Sequence, residues 1–289
     1  MTDAPTSPQA GYDAALRLLN ECFADGRPVV ALTGAGLSTD SGIPDYRGPS
    51  AIARSPMTFQ DFLRGPENQR RYWARSFVGW SRMAHAEPNA GHLALARLDP
   101  DLLITQNVDG LHERSGSRRL VALHGRISEV ICLSCRRTSP REAFQDKLAA
   151  LNPGFLERFR ASNTLPDGDA DLDDTAGFRV PACEVCGGVI KPDVVFFGEN
   201  VPADRVTRCY AAVDALVAAD GALLVAGSSL TVMSGLRFVR RAAKQGTPVV
   251  IVNRGPTRGD DLAAHRVDVG CSEFLSDLVS GTEGGRATA

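Results

Sequence analysis

Five short runs of apolar residues, each followed by a glycine or a polar side chain, set the limits on what this chain can fold into. They cover residues 29–33, 102–105, 194–197, 222–226 and 248–252. Each run is continuously apolar rather than alternating, which predicts a strand buried on both faces. Helical spacing precedes the first run, over residues 13–24, and separates later ones, over 205–219 and 234–245. The pattern predicts an α/β fold with a parallel sheet covered by helices on both sides. Such sheets bind ligands beyond the carboxyl ends of their strands. The residues that follow the runs are therefore the first candidates for a site: Gly34-Ala35-Gly36, Gly227-Ser228-Ser229 and Asn253.

A length of 289 residues allows one large domain or two intimate ones. Apolar residues make up 43% and charged residues 23%, enough for a sizeable core. Lys and Arg total 32 against 34 Asp and Glu, so bulk charge gives no reason to expect nucleic acid or an anionic membrane as partner. No apolar run approaches the ~20 residues that cross a bilayer. The start, MTDAPTSPQAGYDAAL, reads as neither a signal peptide nor a transit helix. The expected location is the cytoplasm, where thiols stay reduced.

That expectation decides how the cysteines are read. Four of the seven form two Cys-x-x-Cys pairs, Cys132/Cys135 and Cys183/Cys186, separated by residues 136–182. Each short turn points two sulfurs at one ion, and two such turns complete a closed tetrahedral zinc site. Four thiolates leave no open position, so the zinc is structural. Cys22, Cys209 and Cys271 fall outside the pattern and read as small core residues. Between the pairs lie an amphipathic segment, 141–151, and an acidic patch, 167–174, which reads as a solvated loop. The tail after Leu278 reads as frayed.

The nucleotide signal is partial. Gly34-Ala35-Gly36 after a strand resembles the start of a dinucleotide fingerprint, but Thr39 stands where a third glycine is expected. Glycines let the backbone approach a pyrophosphate, whose oxygens backbone N–H groups can bind. Asn253 could hydrogen-bond a ribose, and the usual strand-end acidic residue is missing.

Taken in order, the motifs identify a family. The segment Gly34-Ala35-Gly36-Leu37-Ser38-Thr39-Asp40-Ser41-Gly42-Ile43-Pro44-Asp45-Tyr46-Arg47-Gly48 resembles the sirtuin signature, as do Thr105-Gln106-Asn107-Val108-Asp109-Gly110-Leu111-His112 and Leu123-His124-Gly125. The cysteine pairs, Phe197-Gly198-Glu199, Gly227-Ser228-Ser229-Leu230 and Asn253 follow in the family's order, over about residues 13–278. Asp45-Tyr46-Arg47 and Gln106-Asn107-Val108-Asp109 look most like the class II, mitochondrial lipoamidase-like branch and its bacterial relatives.

The resemblance implies a single catalytic domain. Its Rossmann-like NAD subdomain would span about 12–45, 100–125 and 190–278, its helical part about 46–99 and its zinc module about 126–189. It implies removal of an acyl group, acetyl or longer, from a protein lysine. NAD is consumed, and nicotinamide and O-acyl-ADP-ribose are formed. His124 matches the family's base, and a histidine titrates near the pH this role requires. Asp109 matches the residue that holds the nicotinamide carboxamide, and Asn107 one near the ribose, with Gln106 and Val108 beside them. Ala35, Ser38, Thr39, Ile43 and Pro44 fall in the NAD-binding loop. Asp45, Tyr46 and Arg47 belong to the segment that closes over NAD. Asn253, Arg254, Gly255 and Cys271 match the adenosine end, Cys271 through its backbone. The acyl-lysine peptide would pair as a strand near Phe197-Gly198-Glu199.

His92 and His112 read as structural, and His85 and His265 carry no signal. Trp73, Phe77 and Trp80 read as core or as part of an acyl-channel wall. The Tyr-x-x-Arg pair of succinyl- and malonyl-selective relatives is read as absent, because no tyrosine stands three residues before Arg54. Two other functions are weighed. Protein mono-ADP-ribosylation would be favoured by loss of the base, yet His124 is present. A zinc module gripping nucleic acid lacks the basic stripe it would need.

Overall fold

The structure is a computed structural model that describes residues 8–45, 56–159, 169–170, 172 and 174–286. The runs at 29–33, 102–105, 222–226 and 248–252 become β1 (Val29–Thr33), β2 (Leu102–Thr105), β7 (Ala222–Ala226) and β8 (Val249–Val252). With β3 (Leu120–Ala122) and β9 (His265–Val267) they form a six-stranded parallel sheet in the order β3-β2-β1-β7-β8-β9.

The pleat explains why these strands are continuously apolar. Along β1, Val29 and Ala31 enter one hydrophobic cluster, while Val30 and Leu32 enter another on the opposite face. β7 divides the same way, Leu224 against Leu223 and Val225. The first cluster is closed by α1 (Pro8–Ala24), α4 (Ala90–Leu98) and α10 (Cys271–Arg286), through Leu19, Leu95, Phe274 and Leu278. The second is closed by α8 (Ala203–Ala218) and α9 (Met233–Lys244), through Val213, Leu236 and Phe238. Burying such a side chain contributes about 1.5–3 kcal/mol. The segment after Leu278, expected to fray, continues as helix to Arg286.

A second, three-stranded sheet holds β4 (Gly125–Cys132) between β5 (Thr138–Pro140) and β6 (Ile190–Val194), all antiparallel. This corrects the reading of residues 194–197 as a strand of the parallel sheet. The strand ends at Val194 and belongs to the small sheet; of the apolar residues after it, Phe196 packs into a different core and Phe197 is exposed. That core gathers α2 (Phe59–Leu63), α3 (Pro66–His85), α6 (Arg141–Leu151) and α7 (Phe155–Arg158) around Phe62, Trp73, Phe77, Phe144 and Phe155. A short helix, α5 (Leu111–Arg114), follows β2.

Within this module Arg141 is fully buried, its guanidinium 4.9 Å from the ring centres of both Trp73 and Trp80. It donates to Ser76 Oγ at 3.1 Å and Gln145 Oε1 at 2.6 Å. Desolvation lowers its pKa to about 10, so it remains a cation. The acidic patch is not simply a solvated loop: Asp169, Ala170 and Leu172 are buried, while Asp167, Gly168, Asp171 and Asp173 lie outside the described residues.

Candidate active site

The strand order of the parallel sheet reverses between β1 and β7, and a cleft opens beyond the carboxyl ends of those two strands. The loops leaving them touch through backbone. Gly36 N–H donates to Gly227 O at 2.8 Å, and Gly34 N–H to Ala226 O at 3.1 Å. A Cβ at Gly34 would lie 2.8 Å from Gly227 O, and Gly227 itself needs φ +67°. The glycines are thus required by the contact of two loops, in addition to any ligand.

A cleft of about 790 Å³ lies over these loops and reaches into the small module. From the first loop it is lined by Ala35, Gly36, Ser38, Ile43, Pro44 and Asp45. Gln106, Asn107, Val108 and Asp109 line it after β2, and His124 after β3. Gly227, Ser228 and Ser229 follow from β7; Asn253, Arg254 and Gly255 from β8. Three expected residues do not line the cleft. Gly34 packs on Gly227, Thr39 donates to Gly36 O at 3.0 Å, and Cys271 packs its thiol under Val252 O at 3.7 Å. Tyr46, Arg47 and Arg54 lie outside the described residues.

The polar groups form three hydrogen-bonded sets. Asp109 accepts from Ser38 Oγ at 2.7 Å and from Leu111 N–H at 3.0 Å. Burial raises its pKa above the ordinary carboxylate value, and these two hydrogen bonds oppose the shift. Asn107 Nδ2 donates to Gly34 O at 3.1 Å and Ser38 Oγ at 3.0 Å. Gln106 Nε2 donates to Ser228 Oγ at 2.8 Å. Asn253 Nδ2 donates to Arg254 O and Gly255 O, tying down the loop after β8.

His124 is held at both ring nitrogens: Nδ1 lies 2.8 Å from Gln106 O and Nε2 lies 2.7 Å from Ser234 Oγ. Burial pushes its pKa down to about 4, so the ring is neutral near pH 7. His92 and His112 sit behind β1 with ring centres 4.8 Å apart, and His112 Nε2 is 3.0 Å from Thr33 Oγ1.

Several wall residues escaped the sequence reading: Ser234, Arg237, Tyr72, Met83 and Asp169. Tyr72 also corrects an expectation. A Tyr-x-x-Arg spacing is present, as Tyr72 and Arg75 on α3, well beyond the stretch around Arg54. Tyr72 lines the cleft, while Arg75 Nε donates to Ala170 O at 3.2 Å.

The four cysteine sulfurs lie within 4.8 Å of one another, with Cys132–Cys186 at 3.5 Å and Cys135–Cys183 at 3.8 Å. Zn–S bonds of about 2.3 Å in a tetrahedron give sulfur–sulfur edges of ~3.8 Å. The thiolates therefore fit a structural zinc ion.

Comparison with known proteins agrees with this arrangement. The Sir2 family pattern matches residues 34–234. An NAD-dependent protein deacetylase 1 of Mycobacterium avium is 53% identical over 260 residues, covering 88% of this chain and 91% of that one. Another, of Streptomyces coelicolor, is 56% identical over 247 residues, covering 83% and 81%. A Sir2 solved with a p53 peptide and NAD+ superposes with TM-score 0.70 at 32% identity, over 94% of this chain and 97% of that one. The chain belongs to the Sir2 family, the sirtuins.

Proposed function

We propose that this chain is an NAD-dependent protein-lysine deacylase, releasing nicotinamide and O-acyl-ADP-ribose. The observation that carries the reading is a neutral His124, buried in the strand-end cleft beside Asn107 and Asp109. NAD supplies an electrophilic ribose carbon with nicotinamide as leaving group. The residues do the rest. His124, its Nδ1–H held by Gln106 O, accepts the proton of a ribose hydroxyl at Nε2. Asp109, fixed by Ser38, holds the nicotinamide carboxamide, and Asn107 orients the ribose. Ala35, Gly36 and Ser38 serve the pyrophosphate, and Asn253 with Arg254 the adenosine end. Closing the cleft keeps water from the developing charge. A retained His124 favours deacylation over ADP-ribosylation of protein.

The six-stranded sheet forms the NAD subdomain in this reading, and the three-stranded sheet with α2 and α3 the small one. The acyl-lysine peptide lies between them, along Phe197-Gly198-Glu199. Among the described residues no helix is long and apolar enough to cross a membrane. Four reduced thiols in one cluster favour the cytoplasm as its place of action. Incubating the protein with NAD and a panel of acyl-lysine peptides, with mass spectrometry of the products, tests the reading. NAD consumption without deacylated peptide and O-acyl-ADP-ribose would overturn it.

A further inference from the structure

His124 has one partner on each ring nitrogen, and the two are not equivalent. Gln106 O is a carbonyl and can only accept, so the 2.8 Å contact puts a proton on Nδ1. In a neutral ring Nε2 then carries the lone pair, and the Ser234 hydroxyl, 2.7 Å away, is its donor. Ser234 sits on the first turn of α9, whose N-terminus has no side-chain cap. A serine there commonly serves the helix backbone; here its hydroxyl is directed at the imidazole. Gly235 makes the approach possible, since a Cβ at that position would overlap the Gln106 side chain. Ser234 is buried and lines the cleft.

We propose that Ser234 is a positioning residue for the deacylation base: its hydroxyl donates to Nε2 of neutral His124, fixes the ring in the Nδ1–H tautomer, and sets the pH at which the base becomes available. The inference rests on His124 being that base. A hydrogen bond to the lone pair stabilises the neutral ring over the imidazolium, and the positive end of α9 acts in the same direction. Other charged groups face the ring or share its cleft and stay in place when Ser234 is changed. Arg205 on α8, paired with Asp193 of β6 at 3.7 Å, and Arg237 on α9 both disfavour the cation. Asp109 after β2 and Glu199 after β6 line the same cleft, as do Asp45, Asp169 and Arg254. A cosubstrate hydroxyl that reaches Nε2 takes the place of Ser234, because the nitrogen has a single lone pair.

The test is the pH profile of kcat/KM for Ser234→Ala and Ser234→Thr, with the tautomer of His124 read by nitrogen-15 NMR in the unliganded protein. Loss of one hydrogen bond of ordinary net strength should raise the apparent pKa of the acid limb by about half a unit to one unit. Well below the wild-type midpoint, kcat/KM then falls about threefold to tenfold, while the plateau above it changes less. Ser234→Thr, which keeps the hydroxyl, should restore the wild-type limb. NMR should show the Nδ1–H tautomer in the wild-type protein, a readout that needs no variant to fold. A Ser234→Ala profile superimposable on wild type, or an Nε2–H tautomer, would overturn the proposal. Activity surviving in His124→Ala would instead overturn the base assignment, so the two failures are distinguishable.

Discussion

The Lys191 ammonium lies 3.2 Å from the Glu199 carboxylate, and the pair holds the backbone that leads from β6 into the cleft. Lys191 also donates to Pro192 O at 3.1 Å and to Val194 O, while Glu199 accepts Phe196 N–H at 2.9 Å. From the other side Phe59 N–H donates to Phe197 O at 2.9 Å, and Gln60 to Gly198 O at 3.1 Å. Breaking a buried pair by removing one partner costs about 3–5 kcal/mol. Lys191→Met should therefore lower the melting temperature and raise KM for acyl-peptide more than it lowers kcat. Lys191→Met combined with Glu199→Gln should recover part of both. An unchanged KM in the single variant would show that the pair does not shape the peptide edge.

Replacing the candidate base separates chemistry from binding. His124→Ala and His124→Tyr should lose NAD-dependent deacylation while NAD affinity, measured by calorimetry, largely survives. The network of Asn107, Asp109 and Ser38 does not depend on the imidazole. Full turnover in either variant would refute the mechanism.

The metal site predicts one zinc per chain by elemental analysis. A structural ion contributes folding free energy directly, so Cys183→Ala should lower solubility and thermal stability. Metal-free protein of undiminished stability would remove the assignment.

Acid should weaken the fold through three histidines. Burial holds His92, His112 and His124 neutral, with pKa values lowered from 6.5 to about 4, about 3 and about 4. The folded values lie below the unfolded one. Their stabilising contribution is therefore complete above pH 6.5 and is lost as pH falls toward 4 and then 3. Thermal melts across this window should steepen below about pH 6.5, and His92→Gln should flatten the slope. A slope identical to wild type in that variant would show that His92 is not part of the effect.

Acyl selectivity follows from the wall of the cleft. Met57, Tyr72, Met83, Ile127, Val194 and Phe196 present a largely apolar surface, which gains about 0.8 kcal/mol per buried methylene. A terminal carboxylate needs a paired donor there, and Asp169 adds negative charge to the same wall. Medium or long apolar acyl-lysines should be turned over at least as well as acetyl-lysine, by kcat/KM on matched peptides, and succinyl-lysine less well. A succinyl preference lost on Arg75→Ala would reverse this reading and give Arg75 control of the pocket.

The central strands were legible because burial on both faces leaves a continuous apolar run, and β1, β2 and β7 begin and end where those runs do. The edge strands β3 and β9, three residues each, carry too short a run to stand out. The small sheet escaped because its strands flank the metal turns, β4 leading into the first and β5 and β6 following the first and the second, and carry no clear apolar period. In the site, motif order marked His124, Asn107 and Asp109, all of which line the cleft. Ser234 left no signal, since a serine at a helix start reads as a cap. Tyr72 and Arg75 were missed because α3 is remote in sequence from the signature. Thr39 and Cys271 turn their side chains to backbone carbonyls, and for Cys271 the contact expected at the adenosine end is through its backbone.

Both tryptophans of the chain, Trp73 and Trp80 on α3, flank the same guanidinium, that of Arg141 on α6. Tryptophan fluorescence of this protein is therefore a local gauge: its emission senses the small module and, through Trp80, its contact with Ile43 and Leu111, while the six-stranded sheet carries no tryptophan. Chelation that loosens the cysteine cluster should red-shift the emission while far-ultraviolet dichroism from the sheet and its covering helices changes little. The two signals together would time the opening of one half of the molecule against the other.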